Sequence, residues 1–251
     1  MRRLLVLGGL ALALALPAAA AAQQPNAILF ANGKSLFAEN CLSCHGVDGR
    51  GVPKPTHGSL DIHGVGPRLR GVGAMGADFY LRTGYMPLQS ALDQPTRRHS
   101  PFTKREIDSL VQYVASFGGP PVPKPHPKRG SLAVGLRLYT EHCAGCHQVV
   151  AEGGYVTGAR VPPLKQASAT QIAEAVRLGP YLMPRFPRTQ ISDRQLDSIV
   201  RYVEWAKHPD DRGGWGIGHI GPVPEGLIAW LFAGAALVAV CTLIGKRNEA
   251  S

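Results

Sequence analysis

A pentapeptide with the means for covalent chemistry occurs twice in the chain, as Cys41-Leu42-Ser43-Cys44-His45 and Cys143-Ala144-Gly145-Cys146-His147. Two cysteines three positions apart share one helical turn, so both sulfurs can reach the two vinyl groups of a single porphyrin. The histidine that follows can then present its imidazole to the iron as the proximal ligand. The pattern is a c-type haem attachment site, and two copies predict two covalently bound haem c groups. Cys41, Cys44, Cys143 and Cys146 are the expected anchors, with His45 and His147 as axial ligands. A zinc knuckle or a redox dithiol shares the cysteine spacing, but neither requires a histidine next to both pairs.

A six-coordinate iron needs a ligand on its other face. The chain has four methionines. Met1 goes with the leader. Met86 and Met183 each precede a proline, at matching places between a haem motif and the last helix of a repeat. A thioether is a soft, neutral ligand that favours ferrous iron and raises the potential, so these two are the expected distal ligands. Met75 lies in the first interval without the proline and reads as packing. His57, His63, His99, His126, His142, His208 and His219 are isolated histidines that read as surface.

The elements that must position these groups repeat with the motifs, whose first cysteines lie 102 positions apart. In the first domain, residues 32–119, a short helix from Gly33 to Asn40 leads into the haem motif. A Gly- and Pro-rich loop from Gly46 to Gly73 follows, then a short helix at Asp78 to Arg82 and a turn over Thr83-Gly84-Tyr85-Met86-Pro87. Thr103-Lys104-Arg105-Glu106 is a capping box, and behind it Ile107, Leu110, Val111, Val114 and Phe117 recur at helical spacing until Gly118 and Gly119. Five prolines make residues 120–130 a semi-rigid linker. The second domain, residues 131–208, repeats the plan: a helix from Gly135 to His142, the motif, and a Gly-rich loop. A capped helix behind Ser168-Ala169-Thr170-Gln171 ends at Gly179, and a last helix follows Ser192-Asp193-Arg194-Gln195. Gly33 and Gly135 occupy matching places in the leading helices, and Tyr113 and Tyr202 in the final ones. The expected fold is all-α. With four of the five cysteines in the motifs, only Cys241 is left, and no structural disulfide is expected.

Both ends are apolar. Residues 1–22 read as a secretory signal: Arg2 and Arg3, an apolar run from Leu4 to Leu16, and small residues from Ala18 to Ala22. Residues 222–245 carry a run from Leu227 to Ile244 long enough to cross the ~30 Å hydrocarbon core as a helix. Lys246 and Arg247 follow at once, which places the C-terminus in the cytoplasm and the haem domains outside. Ala229, Ala233, Ala236 and Ala239 form a stripe of small residues that lets another helix approach closely. The formal net charge of +10 suits anionic lipid or an acidic redox partner. No nucleic-acid-binding motif is present.

The chain resembles the dihaem cytochrome cc subunit of the quinol–cytochrome c reductase (bcc type) of actinobacteria. The resemblance rests on both haem motifs, on Gly66-Pro67-Arg68-Leu69-Arg70-Gly71-Val72-Gly73, Thr83-Gly84-Tyr85-Met86-Pro87 and Gly179-Pro180-Tyr181-Leu182-Met183-Pro184. Above all it rests on Gly216-Ile217-Gly218-His219-Ile220-Gly221-Pro222-Val223-Pro224-Glu225-Gly226-Leu227 with Trp230. A longer loop from Lys54 to Gly64 and a short leader depart from the family pattern. The resemblance implies two tandem class I cytochrome c domains followed by one transmembrane helix. It further implies an electron carrier with no bond-making catalysis of its own, placed between the Rieske iron–sulfur subunit and a terminal oxidase of the aa3 type, beside a cytochrome b subunit. A dihaem acceptor subunit of a periplasmic dehydrogenase is the alternative. The dihaem subunit of a cbb3-type oxidase usually carries its anchor at the N-terminus.

Overall fold

The computed structural model describes residues 27–52, 66–88, 96–208 and 222–249. The expected signal (1–22), the long loop with His57 and His63, and the approach to the last helix with His219 lie outside the described residues.

Helices form where the sequence supplies their caps. α4 (Lys104–Ala115) starts at the capping box, with Glu106 N–H donating to Thr103 Oγ1 (3.4 Å) and Thr103 N–H donating to Glu106 Oε2 (2.7 Å). α7 (Ala169–Leu178) and α8 (Asp193–Ala206) begin with the same reciprocal bonds at Ser168/Gln171 and Ser192/Gln195. Gly179 closes α7 in the left-handed region at φ 63°.

Each repeat is held by its first helix crossing its last. α1 (Ala27–Asn40) packs on α4, and α5 (Leu132–His142) packs on α8. The crossings need glycine. A β-carbon on Gly33 would stand 2.6 Å from the Ser109 carbonyl carbon and 2.9 Å from Tyr113 Cβ; one on Gly135 would stand 2.8 Å from the Ser198 carbonyl carbon and 2.9 Å from Tyr202 Cβ. Beside each glycine two rings meet at a tilt, Phe37 and Tyr113 at 5.3 Å and Tyr139 and Tyr202 at 5.1 Å between centroids. Two separate cores result. One gathers Phe37, Leu110, Tyr113 and Val114, the other Tyr139, Ile199, Val200 and Val203.

Four elements differ from expectation. α1 begins at Ala27, before the expected start of the domain. The short helix expected at Asp78 to Arg82 is α3 (Gly73–Arg82), which starts a turn and a half earlier. The Gly-rich stretch after the second motif contains a hairpin, β1 (Gly154–Val156) paired antiparallel with β2 (Ala159–Val161), Tyr155 opposite Arg160. The C-terminal helix α9 runs Pro222–Glu249, past the expected end.

The Pro-rich linker is fastened at both ends. Met75 N–H donates to Pro120 O (3.1 Å), and His126 N–H donates to Asp197 Oδ1 (2.6 Å). Contacts of α3 with α7 join the two domains directly. Across the same seam Arg97 donates to Gln166 O (2.9 Å) and Gln171 Oε1 (3.0 Å).

Candidate haem-binding site

Each C-x-x-C-H motif straddles the junction between a long helix and a single turn. α2 (Leu42–His45) follows Cys41, and α6 (Ala144–His147) follows Cys143. The backbone bonds match in the two copies: His45 N–H to Cys41 O at 2.8 Å and His147 N–H to Cys143 O at 2.9 Å. This turn places both cysteines of a motif and its histidine on one side.

Both sites open into one cavity of about 580 Å³ that spans the two domains. Cys41, His45 and Met86 line it from the first domain; Cys143, Cys146, His147 and Met183 line it from the second. Cys44, on α2, is not among the lining residues. The remaining wall is largely apolar, with Leu81, Leu110, Ile172 and Ile199 among it. The described positions of the predicted site residues are therefore brought together, one set per domain. Met75 is instead buried on α3, as packing.

The donor chemistry fits a haem. His45 Nδ1 lies 2.8 Å from Pro67 O, and His147 Nδ1 lies 3.3 Å from Pro162 O. An Nδ1–H donating to a carbonyl fixes the tautomer and leaves the Nε2 lone pair for a metal. Burial lowers the pKa of His147, only partly opposed by its bond to Pro162, so its imidazole is held in the neutral form a metal ligand needs. Burial, with Cys44 and Cys146 as lesser contributions, pushes the thiols of Cys41 and Cys143 up to about 11. No cluster of three or more His, Cys, Asp and Glu side chains suited to a bare metal ion forms among the described residues.

Three residues around the site have surroundings that the sequence did not show. Tyr139, almost fully buried, lines the cavity and its hydroxyl has no partner among the described residues. Its place in the repeat, 102 positions after Phe37, was the available signal. Arg177 is 9% exposed and donates to Phe186 O (3.0 Å), Ile191 O (2.7 Å) and Asp193 Oδ1 (2.8 Å). It thereby ties down the loop that follows Met183. Glu174 is buried completely. As a charged residue on an amphipathic helix, it carried no signal of that in the sequence.

α9 contains a 22-residue span, Gly226–Arg247, that is long and apolar enough to cross a membrane. None of that window is buried, and Trp230 is 79% exposed. A helix in the core of a soluble domain would be covered.

Comparison with known proteins agrees with this geometry. Residues 30–117 match the family model described as Cytochrome c, and residues 130–203 match the one described as Cytochrome C oxidase, cbb3-type, subunit III. The chain is 34% identical to the cytochrome bc1 complex cytochrome c subunit of Mycobacterium tuberculosis, over 98% of this chain and 88% of that protein. It is 31% identical to the protein of the same description from Corynebacterium diphtheriae, over 91% of this chain and 85% of the relative. A cbb3-type cytochrome c oxidase subunit CcoP from Azospirillum sp. is 27% identical, over 69% of this chain and 60% of its own length.

Proposed function

The chain belongs to the cytochrome c subunits of the cytochrome bc1 complex, and from that membership we propose that it holds two haem c groups and passes electrons from the complex's Rieske subunit to a terminal oxidase. It is a cytochrome c electron carrier, and membership in the complex implies cytochrome b and Rieske partners. The finer assignment is that Cys41 and Cys44 anchor one haem, with His45 and Met86 on its iron. Cys143 and Cys146 anchor the other, with His147 and Met183. Haem iron, when bound, cycles between ferric and ferrous and so holds one electron at a time.

The chain's own residues set the conditions for that cycle. Pro67 O and Pro162 O orient the two imidazoles. The apolar walls exclude water, which favours the less charged ferrous state, and the thioethers of Met86 and Met183 favour it further. The observation that carries the reading is the shared cavity, which both motifs line from opposite domains. Two sites in one cavity support a series relay, in which electrons pass from one domain to the other on their way to an oxidase of the aa3 type. A linker held at Pro120 and His126 keeps that spacing constant.

Residues 1–22 then serve for export, because c-type haem is attached outside the cytoplasm. Gly226–Arg247 anchors the chain. Lys246 and Arg247 keep the C-terminus in the cytoplasm, leaving both domains on the outer face.

The test is to replace Met86 or Met183 with histidine, a ligand that lowers the potential of one site, in the purified complex. Copurifying b-type haem and Rieske protein establish the assembly. Rapid mixing with quinol should then reduce the sites upstream of the lesion while oxygen consumption falls, whichever methionine is changed. Full quinol-to-oxygen turnover in either variant, with its altered site redox-silent, would show that the two domains work in parallel.

A further inference from the structure

The seam between the domains contains a charged group that the electron path does not use. Glu174, in the middle of α7, is 0% exposed, and neither carboxylate oxygen has a hydrogen-bond donor among the described residues. Its neighbour across the seam is the carboxyl of Asp78 on α3, itself 6% exposed and within hydrogen-bond reach. Arg82, one turn further along α3, donates from Nε to Asp78 Oδ1 at 2.8 Å and pairs through Nη2 with Asp108 on α4. Two carboxylates thus share one guanidinium, which acts on Glu174 only through space. The other cations near α7 are engaged elsewhere: Arg97 with Gln166 and Gln171, Arg177 and Arg188 with Asp193 at the start of α8.

Two buried carboxyl groups that face each other within hydrogen-bond reach do not both stay ionised. Asp78 is the one held by Arg82, so the proton falls to Glu174. A protonated Glu174 donates its O–H to Asp78 and gives an orphaned oxygen a partner. The pair stands directly behind the cavity wall: Ala77 and Phe79 on either side of Asp78 line it, as do Ile172 and Ala175 on either side of Glu174.

We propose that Asp78 and Glu174 form a proton-binding site between the two domains, whose occupancy follows the charge state of the redox centres that flank it. When one electron enters from the iron–sulfur donor of the complex, the cavity becomes one charge more negative. Where the pH leaves Glu174 ionised in the oxidised state, one proton from solvent, taken by its carboxylate oxygen, compensates the added charge. Both leave when the electron passes on. No other bond changes. The inference rests on the haem-carrying reading above.

The sign of the effect follows from the shift. Burial first, then the Asp78 carboxylate, raises the Glu174 pKa to about 9, against a smaller lowering by Arg82. Added negative charge raises it further, so the reduced form binds the proton more tightly. The midpoint potential should therefore be flat near neutral pH and fall as pH rises through the range around 9.

The test is redox titration of the c-type absorbance of the full chain in its complex, across that alkaline range. The wild type should show the falling limb, and Glu174→Gln, which keeps shape and polarity, should flatten it. Infrared reduced-minus-oxidised spectra of the wild type should contain a protonated-carboxyl band at pH around 9, where reduction adds the proton. That band should be absent from Glu174→Gln, and from Asp78→Asn it should be shifted. A wild-type potential independent of pH across this range, a slope that survives Glu174→Gln, or a wild-type difference spectrum without the band would overturn the proposal. If no c-type absorbance titrates at all, it is the haem-carrying reading that fails.

Discussion

Replacing Gly135 with alanine adds one methyl group where α5 crosses α8. On an ordinary exposed helix position that change stabilises by about 0.8–1 kcal/mol, because alanine loses less backbone freedom. Here the new carbon would stand 2.8 Å from the Ser198 carbonyl carbon and 2.9 Å from Tyr202 Cβ, where carbon atoms sit comfortably at about 3.5–4 Å. The obstacle is backbone in the middle of α8, which cannot rotate aside, so the helices must part by several tenths of an ångström. Overpacking of this kind costs about 1–3 kcal/mol, occasionally more, and the rigid obstacle puts this site at the upper end. The net loss is then about 2 kcal/mol. For a domain of this size each kcal/mol moves the melting temperature by about 4–8 °C, so a fall on the order of 10 °C is expected. Thermal unfolding of the purified full chain, followed by circular dichroism and by c-type absorbance, measures it. A melting temperature equal to or above the wild type would refute the argument that the crossing requires glycine.

Met86→Ala should abolish the methionine-to-ferric-iron charge-transfer absorbance of one haem and lower its potential, while both haems remain covalently attached; optical redox titration checks this, and two bis-histidine haems would contradict it. Arg177→Met should orphan the carbonyls of Phe186 and Ile191, at about 1–3 kcal/mol each. It should lower the melting temperature of the second domain and weaken the charge-transfer absorbance assigned to Met183. An unchanged spectrum and melting temperature would show that the loop holds itself. A reporter fused after Ser251 should be active only on the cytoplasmic side, because Lys246 and Arg247 resist translocation; activity on the outer face would reverse the topology.

What could be read from the sequence was what short-range chemistry determines. Thr103, Ser168 and Ser192 announce their helices because the reciprocal bond of a capping box spans only three residues. Gly33 and Gly135, with Tyr113 and Tyr202, were visible as a pattern because the chain states it twice, and the crossings use those residues. The haem motifs and the two methionines stand out as a repeated pattern for the same reason. The hairpin at Gly154–Val161 was hidden, since its glycines describe a loop equally well and its three-residue strands carry no periodicity. The linker read as a spacer, whereas Gly119, whose β-carbon would lie 2.7 Å from the Gly71 carbonyl carbon, lets it press against the start of α3. Glu174 could not have been found in the sequence at all. It stands where a solvated face of α7 would be expected, and tertiary packing, with Asp78 of the first domain facing it, buries it.

The measurement that bears most directly on the account is the intact mass of the purified chain, read as the number of covalently attached haem groups. Two haem additions are predicted, falling to one when Cys143 and Cys146 are both replaced with alanine and to one again when Cys41 and Cys44 are. A single addition, or none, on the wild-type chain would contradict the assignment of both motifs as haem sites, and with it the relay.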